Sequence, residues 1–301
     1  MMRLDLKVTT RQALSRAREM LAIRQAQAEE TNNIEDPALE SILLLTHALK
    51  IDRVQLYLDF DNQLSQELSE RFWSLIQRRL KGEPSAYILG RREFYGLDFD
   101  VDANVLIPRP ETELLVEKAL EITRQHSSLI IADIGTGCGA IAISLAVKLP
   151  PSASLRASET KIYATDISAA ALKVASANCQ KHGVADRICL LEGDLLEPLP
   201  EPVDLIVANL PYVSETDLTK VNTLGFEPTL ALDGGKDGLE KIRRLCSQLQ
   251  EKLHPNGYLL LEIGQGQRQA VTAFLRDLYP SAGIETFNDL AGIGRVVRVT
   301  L

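Results

Sequence analysis

The first eighty or so residues carry apolar side chains at the spacing of amphipathic helices. In TRQALSRAREML, Leu14 and Leu21 recur on one face with polar residues between them. A second segment begins with Asp36 as a helix cap and Pro37 at the first helical position. A third, SQELSERFWSLIQRRLKGEP, has an apolar stripe and ends at Lys-Gly before a proline. Strand signals are almost absent, so residues 1–85 are predicted to form a small all-helical domain.

The pattern changes between residues 86 and 108. The segment REFYGLDFDVD alternates apolar and polar side chains around Gly96, which predicts a short β-hairpin. The run Pro108-Arg109-Pro110 that follows fits neither a helix interior nor a central strand. We therefore expect residues 86–108 to form a hairpin linker that leads through a stiff loop into a second domain, residues 109–301.

Short apolar runs alternate with helical patterns from about residue 128 onward. The runs are LIIADIG, KIYATDI, RICLLEG, VDLIVANL and GYLLLEIG. Such strands, separated by helices, predict a parallel sheet covered on both faces. The tail, GIETFNDLAGIGRVVRVTL, gives two strands joined only by a loop, which should pair antiparallel. A seven-stranded mixed sheet with an antiparallel C-terminal hairpin is the methyltransferase version of the Rossmann-like, doubly wound α/β fold.

Composition and charge narrow the possible partners. Of the 301 residues, 45% are hydrophobic and 25% charged, which is typical of a folded globular protein. The net charge of −8 repels nucleic acid at long range, although a local basic patch could still bind phosphates. The four cysteines include no CxxC pair, so we expect neither a metal site nor a disulfide framework. The N-terminus lacks the apolar core of a secretory signal, and no apolar run could span a bilayer. We expect a cytoplasmic protein with no membrane partner.

The segment ADIGTGCGA places three glycines directly after a predicted strand and before a predicted helix. Glycines let a backbone turn tightly and approach a ligand closely, although a plain strand–helix turn would look similar. A dinucleotide loop reads G-x-G-x-x-G and holds a pyrophosphate, whereas this loop reads G-x-G-x-G and follows Asp133. A carboxylate there would repel a pyrophosphate and suit the ammonium group of a methionine moiety, directly or through water. The pattern favours S-adenosylmethionine over NAD. The predicted loop contacts are Gly135, Thr136, Gly137, Cys138 and Gly139.

The ends of the next two strands also carry acidic residues. Asp166 ends KIYATD, where a carboxylate can accept hydrogen bonds from both ribose hydroxyls. NAD enzymes share this position, so it indicates a ribose and not one particular cofactor. Asp194, which ends LLEGD, and the adjacent Leu195 are expected to border the adenine pocket.

The strand VDLIVA ends in the turn Asn209-Leu210-Pro211-Tyr212. Ligands of open α/β sheets bind at the carboxyl ends of the strands, so this turn should lie beside the methyl donor. We expect Asn209 to contact the cofactor. A planar NH2 group is a poor nucleophile because its lone pair is delocalised. The Asn209 side-chain oxygen and the Leu210 backbone oxygen could accept its two N–H bonds and stabilise the charge that develops during transfer. Pro211 would fix the turn and Tyr212 would cover the planar group. The alternative is an ordinary turn that closes a strand.

These segments together resemble the release-factor glutamine methyltransferases, the PrmC/HemK family. GRREFYGLDFDVDANVLIPRPETELLVE is similar to the family's linker hairpin and Pro-Arg-Pro-Glu-Thr-Glu loop, and DIGTGCGAIAISLA to its cofactor loop. FEPTLALDGGKDGL and DLAGIGRVV match its late motifs. The resemblance implies methylation, by S-adenosylmethionine, of the side-chain amide nitrogen of the glutamine in the Gly-Gly-Gln motif of peptide-chain release factors. It implies cofactor contacts at the glycine loop, Asp166 and Leu195, substrate contacts at residues 209–212, and substrate recognition by the helical N-terminal domain.

One position departs from the family pattern. The family usually reads Asn-Pro-Pro-Tyr, where this chain has Leu210. The role assigned to position 210 belongs to a backbone carbonyl, so we expect activity to be retained. Arg109 is a predicted substrate contact that either braces the loop over the site or pairs with Glu111 or Glu113. A monomer is expected to suffice.

Two alternatives remain open at this point. The same turn serves methyltransferases that act on adenine N6 or guanine N2 in DNA or RNA. The acidic balance and the lack of a basic stretch interleaved with aromatic residues argue against direct nucleic-acid binding. The clusters Arg78-Arg79-Lys81 and Arg91-Arg92 keep it open, unless they are solvated surface. They could equally contact ribosomal RNA or an acidic face of a release factor. The second alternative is a scaffold protein that binds the cofactor but does not catalyse a reaction. The intact Asn209 argues against this alternative.

Overall fold

The computed structural model describes residues 8–27, 34, 36–126, 128–149, 160–221 and 225–301. The chain folds into two compact units. The described residues of Met1–Gly90, with Lys220–Phe226, form the first unit, and those of Arg91–Thr219 with Glu227–Leu301 form the second. The predicted domains 1–85 and 109–301 and the linker 86–108 stay predictions. No described helix is both long enough and apolar enough to cross a bilayer.

The first unit is helical, as the sequence predicts. Its helices are α1 (Thr10–Gln27), α2 (Pro37–Leu49), α3 (Arg53–Leu58), α4 (Gln66–Leu80) and α5 (Ser85–Leu89). Asp36 caps α2, because its side chain accepts hydrogen bonds from the amides of Ala38 and Leu39. The apolar stripe of α4 buries Phe72 and Trp73 in the core of this unit.

Part of the predicted basic cluster on α4 is structural. The Arg79 side chain is 3% exposed, and its Nε lies 2.5 Å from Oε2 of Glu40. Arg78 pairs with Glu83 at 2.5 Å. A buried guanidinium needs such a partner, since an unpaired buried charge costs several kcal/mol, on the order of 3–5. Neither arginine is therefore a free cation on the surface of this unit.

The predicted hairpin opens the second unit. Strands β1 (Arg91–Phe94) and β2 (Leu97–Asp100) pair antiparallel, with Phe94 opposite Leu97. Tyr95 and Gly96 form the two-residue turn at φ 53° and 75°. Two successive positive φ values match the twist of the flanking strands, and glycine adopts such values without strain.

A seven-stranded mixed sheet follows, which confirms the predicted fold class. Its strands are β3 (Ile130–Ile134), β4 (Lys161–Asp166), β5 (Ile188–Glu192), β6 (Val203–Ala208), β7 (Leu253–Glu262), β8 (Gly283–Asn288) and β9 (Gly294–Thr300). The order is β5-β4-β3-β6-β7-β9-β8, and only the pairings of β9, with β7 and with β8, are antiparallel. The helices among them are α6 (Glu113–Thr123), α7 (Ala140–Lys148), α8 (Ala169–Lys181), α9 (Glu215–Val221), α10 (Glu240–Lys252) and α11 (Arg268–Leu278).

The strand order fixes where a ligand can bind. β3 pairs with β4 on one side and β6 on the other, so the order reverses at β3. Helices then leave the sheet on opposite faces and a crevice opens at the carboxyl ends of these strands. The strands are held by near-complete burial of residues such as Ile131, Ile206 and Leu260, which are 0% exposed.

Candidate active site

A cavity of about 190 Å³ opens at the carboxyl ends of β3, β4 and β6, and its wall lies entirely in the second unit. The segments that follow β3, β4, β5 and β6 form one side of it. The predicted site residues on this wall are Arg109, Gly135, Thr136, Gly137, Cys138, Asp166, Asp194, Leu195, Asn209, Leu210 and Pro211. The topology therefore brings together residues that lie as far apart in the chain as Arg109 and Pro211.

The glycine loop after β3 is a backbone cradle. Gly135, Gly137 and Gly139 have φ values of 72°, 57° and 85°, a region that favours glycine. A Cβ added to Gly139 would lie 2.8 Å from Cδ1 of Ile143, so this glycine lets α7 pack against the loop. A Cβ added to Gly137 would meet no atom within 4 Å. Space is therefore open for a ligand directly over the Gly137 backbone.

Asp166 is fixed at the end of β4. Its Oδ2 accepts a hydrogen bond from the amide of Gly137 at 2.8 Å, and its Oδ1 accepts one from the amide of Ser168 at 2.9 Å. Burial raises the pKa of this carboxyl, while the backbone hydrogen bonds act in the opposite direction. Each carboxylate oxygen has a further lone pair, so Asp166 can also accept from a ligand.

The segment after β5 forms a further part of the cavity rim. Leu195 has φ 52°, and its carbonyl accepts a hydrogen bond from Oγ1 of Thr165 at 3.0 Å. Asp194 forms an ion pair with Arg244, a residue of α10. Arg244 and Lys241 line the cavity, but sequence reasoning missed both because they lie on the polar face of an amphipathic helix and carry no motif.

Asp133 lies beneath the glycine loop and not on the cavity wall. It is 0% exposed, and its Oδ2 accepts hydrogen bonds from Thr136 Oγ1 at 2.7 Å and from the Ala142 amide at 3.1 Å. It therefore faces the first turn of α7, where the helix dipole favours a negative charge. Its Oδ1 has no hydrogen-bond partner among the described residues. The predicted contact with an ammonium group stays a prediction.

The Asn209 amide has a defined partner. Its Nδ2 donates a hydrogen bond to Oγ1 of Thr112 at 3.1 Å. Thr112 ends a short 3₁₀ helix, Pro110–Thr112, which follows from the stiff Pro-Arg-Pro loop. Because the NH2 end of Asn209 points to Thr112, the carbonyl end is the one available to a ligand.

Leu210 links the turn to the glycine loop. Its side chain is 4% exposed, and its Cδ2 would lie 3.4 Å from a Cβ added to Gly135. The side chain belongs to the core cluster that includes Ile134 and Ala208. Its extra bulk relative to proline is therefore buried under the turn, and packing restrains the turn in place of a proline ring.

Tyr212 is held by its backbone between glycines. Its carbonyl accepts a hydrogen bond from Nε2 of Gln267 at 3.0 Å. A Cβ on Gly238 would lie 2.3 Å from this carbonyl, and one on Gly234 would lie 2.8 Å from the Tyr212 Cα. The late motif FEPTLALDGGKDGL therefore allows a close approach to the turn. Burial, followed by the nearby Glu262, raises the pKa of Tyr212 to about 12, so its phenol is neutral.

Arg109 braces its loop through a partner distant in sequence. Its Nη2 lies 2.6 Å from Oε2 of Glu227, and Glu227 Oε1 accepts a hydrogen bond from the Ile107 amide at 3.3 Å. Of the two predicted alternatives, pairing with Glu111 or Glu113 is not the one seen, and Glu113 instead accepts a hydrogen bond from the Tyr95 amide.

Sequence reasoning also missed Glu262. This residue ends β7 at the same sheet edge and is 2% exposed. Burial raises the pKa of its carboxyl to about 7, and hydrogen bonds from the Thr112 and Asn209 side chains act in the opposite direction. A charged residue that ends the apolar run GYLLLEIG was the available signal, the same one that indicated Asp166.

Comparisons with known proteins identify the family of the chain. The family model "PrmC N-terminal domain" matches residues 12–90, and the model "Methyltransferase small domain" matches residues 110–225. A release factor glutamine methyltransferase of Moorella thermoacetica is 42% identical over 290 residues, which cover 96% of this chain and 97% of that protein. One from Geobacter sulfurreducens is 40% identical over 270 residues, 88% of this chain and 89% of that protein. A solved methyltransferase from Pyrococcus furiosus superposes with a TM-score of 0.50 at 16% identity, over 69% of this chain and 90% of that one, and so shows the fold alone.

The buried Asp133 makes stability depend on pH. Burial raises the pKa of its carboxyl from 3.8 to about 7, so the folded state binds this proton more tightly than the unfolded state. The resulting stability is complete below about pH 4 and is lost as pH rises through about 7. Asp133→Asn cannot ionise, so its free energy of unfolding should fall less between pH 4 and pH 8, by roughly 2–4 kcal/mol. Urea unfolding at both pH values measures this difference. Asp277→Asn, at an exposed position, is the control. If Asp133→Asn showed the same change in free energy of unfolding between pH 4 and pH 8 as the wild type, the raised pKa of Asp133 would be contradicted.

Proposed function

The chain belongs to the release factor glutamine methyltransferase family, and on that premise we propose that it methylates the glutamine side-chain amide nitrogen in the Gly-Gly-Gln motif of peptide-chain release factors, with S-adenosylmethionine as methyl donor. One observation carries the proposal. Asn209 stands on the cavity wall with its NH2 group hydrogen-bonded to Thr112 and its carbonyl end available. A site that presents acceptors suits a substrate that presents two N–H bonds.

The residues of the cavity fit S-adenosylmethionine. The open space over Gly137 accommodates the methionine portion, and the fixed carboxylate of Asp166 is suited to the ribose hydroxyls. Asp194 and Leu195 would border the adenine, on the rim that Arg244 stabilises. When bound there, the cofactor supplies an electrophilic methyl group. The other residues of the loop, Gly135, Thr136, Cys138 and Gly139, shape the turn that this fit requires.

The turn 209–212 acts on the substrate amide through two oxygens. Oδ1 of Asn209 and the carbonyl oxygen of Leu210 accept its two N–H bonds and so fix the direction of the nitrogen lone pair. Orientation of this kind can account for roughly 7–11 kcal/mol of a barrier. Positive charge develops on the nitrogen during transfer, so both hydrogen bonds strengthen in the transition state. The methylated nitrogen is then acidic enough to release its proton to solvent, and no side-chain base is needed.

The rest of the turn keeps Oδ1 of Asn209 and the Leu210 carbonyl oxygen in place. Pro211 limits the backbone freedom of the turn. The neutral ring of Tyr212 presents a flat apolar face, while Gln267 fixes the Tyr212 backbone. Leu210 serves through its carbonyl and its buried side chain, which explains how the site tolerates leucine where the family usually has proline.

The ion pairs make a nucleic-acid substrate less favourable. Of the five cations in the two basic clusters, Arg78, Arg79 and Arg91 are paired with carboxylates. The remaining charge adds little to a protein whose net charge is −8. We propose instead that the helical N-terminal unit contributes to recognition of the release factor, as the family resemblance implies.

The direct test is methyl transfer from labelled S-adenosylmethionine to a purified release factor. The matched control is the same release factor with Gln→Ala in its Gly-Gly-Gln motif, and duplex DNA and structured RNA serve as further substrates. We expect label in the unmodified release factor alone. Equal labelling of the Gln→Ala protein, or labelling of nucleic acid only, would refute the proposed substrate.

Asn209→Ala removes one of the two acceptors. It should lower kcat at least tenfold and leave the Kd for S-adenosylmethionine within about twofold, because a missing hydrogen bond to a buried donor costs roughly 1–3 kcal/mol. Single-turnover methylation and calorimetric titration measure the two effects. Wild-type turnover in this variant would rule out the role of the turn.

Asp166→Ala should affect the other half of the site. Loss of the carboxylate removes the predicted ribose contacts and the anchor of the Gly137 amide, so the Kd for S-adenosylmethionine should rise at least tenfold, since hydrogen bonds to charged groups contribute about 1.5–3 kcal/mol. Calorimetric titration of both Asp166→Ala and Asn209→Ala with S-adenosylmethionine separates an effect on cofactor binding from an effect on turnover. An unchanged Kd would show that the ribose lies elsewhere.

A further inference from the structure

One buried carboxylate has no part in the proposed mechanism. Glu262 is 2% exposed, yet it forms no ion pair among the described residues, and its Oε2 has no hydrogen-bond partner there. The charge of Arg295 on β9 acts on Glu262, but Nε of Arg295 pairs with Oδ2 of Asp289 at 3.0 Å. Burying a carboxylate without an ion pair and with one oxygen unbonded is costly. Such groups are often found at functional sites, which indicates a role of Glu262 in the reaction.

Glu262 lies behind the cavity wall, next to the two residues that define the acceptor turn. Thr112 is 4% exposed and its Oγ1 accepts the hydrogen bond from Asn209 Nδ2 at 3.1 Å. β6 and β7 pair in parallel with Ala208 opposite Leu261, so Asn209 and Glu262 follow side by side at the same sheet edge. The Thr112 and Asn209 side chains both act to lower the pKa of Glu262. Glu262 itself is not part of the cavity wall.

The chemistry of these groups determines the direction of every hydrogen bond. A hydroxyl that accepts a hydrogen bond still has its own proton to donate, and an ionised carboxylate only accepts. Ionised Glu262 therefore attracts the Thr112 O–H and the NH2 end of Asn209. The Asn209 carbonyl is then turned away from Glu262, toward the cavity. A protonated Glu262 has an O–H to donate. The Asn209 amide could then turn its Oδ1 toward Glu262 and accept that hydrogen bond, so the opposite orientation would no longer be unfavourable.

We propose that Glu262 is a positioning residue that acts with Thr112 to hold the Asn209 amide with Oδ1 toward the substrate. This inference rests on the proposed function and adds to it a residue that lies outside the cavity wall. It also assigns a reason for the buried charge: the carboxylate specifies one of two amide orientations that are nearly equal in shape.

The proposal implies a pH dependence with a defined sign. The groups that face Glu262 are Arg295 from β9, Glu111 from the 3₁₀ helix and Tyr212 from the turn. Burial outweighs Arg295 and raises the pKa of Glu262 to about 7. The ionised form, and with it the fixed orientation of Asn209, should be lost as pH falls through this range. The rate of methyl transfer should fall with it.

The test compares Glu262→Gln with the wild type in methylation of a release factor. At pH 8 the variant should lose at least tenfold in kcat, with KM for the release factor and Kd for S-adenosylmethionine within twofold. The wild-type kcat should decline below about pH 7, and the variant should lack this decline. Glu285→Gln, an exposed residue of β8, is the charge-matched control and should keep both the wild-type kcat and the decline.

Two further measurements separate positioning from a merely structural role. The free energy of unfolding of Glu262→Gln at pH 8 should equal or exceed that of the wild type, because a buried charge has been removed. Thr112→Val should lower kcat to a similar extent, the double variant should be no worse than either single one, and Thr112→Ser should retain activity.

The outcomes distinguish the inference from the function beneath it. Wild-type kcat in Glu262→Gln, or an unchanged decline below pH 7, would overturn the positioning role while release-factor methylation by the wild type stands. Fully additive losses in the double variant would also overturn it. A wild-type protein that methylates no release factor would instead refute the proposed function, and the inference with it.

Discussion

An amide nitrogen accepts a methyl group only if its lone pair is held in line with the donor, and in the proposed mechanism one hydrogen bond decides whether that can happen. Nδ2 of Asn209 donates to Oγ1 of Thr112, so the carbonyl of Asn209 is the end that a ligand meets. With the carbonyl of Leu210, it forms a pair of acceptors. A reversed Asn209 would present donors to a group that itself has two donors, and the site would repel its substrate.

Several contacts within the second unit hold this short turn in place. The segment after β6 is hydrogen-bonded to residues 232–234, where the Val213 amide donates to the Leu232 carbonyl and the Gly234 amide to the Val213 carbonyl. Glycines at positions 234 and 238 allow that close approach, and Gln267 joins the Tyr212 carbonyl to the start of α11. Burial of Leu210 against the glycine loop connects the turn after β6 to the loop after β3.

Sequence reasoning predicted the sheet, the glycine loop and the residues that end its strands, because parallel strands bring their carboxyl ends to one edge. It did not predict which way each side chain faces there. Asp133 is the penultimate residue of β3 and Asp166 ends the adjacent β4, yet only Asp166 reaches the cavity, since Asp133 turns toward α7. Contacts between distant segments, such as that of Arg109 with Glu227, leave no local pattern that a single sequence could reveal. The buried Glu262 carried a recognisable signal, but its role depends on neighbours from other elements.

A crystal structure of a complex would measure directly how the substrate glutamine lies relative to the two oxygens at the sheet edge. The protein would be crystallised with S-adenosylhomocysteine and a release-factor fragment that carries the Gly-Gly-Gln loop, to a resolution that shows the amide hydrogen-bond pattern. We expect the glutamine nitrogen within about 3 Å of both Asn209 Oδ1 and the Leu210 carbonyl oxygen, a normal hydrogen-bond distance. A glutamine bound away from this turn, or facing the Asn209 NH2 group, would contradict the account.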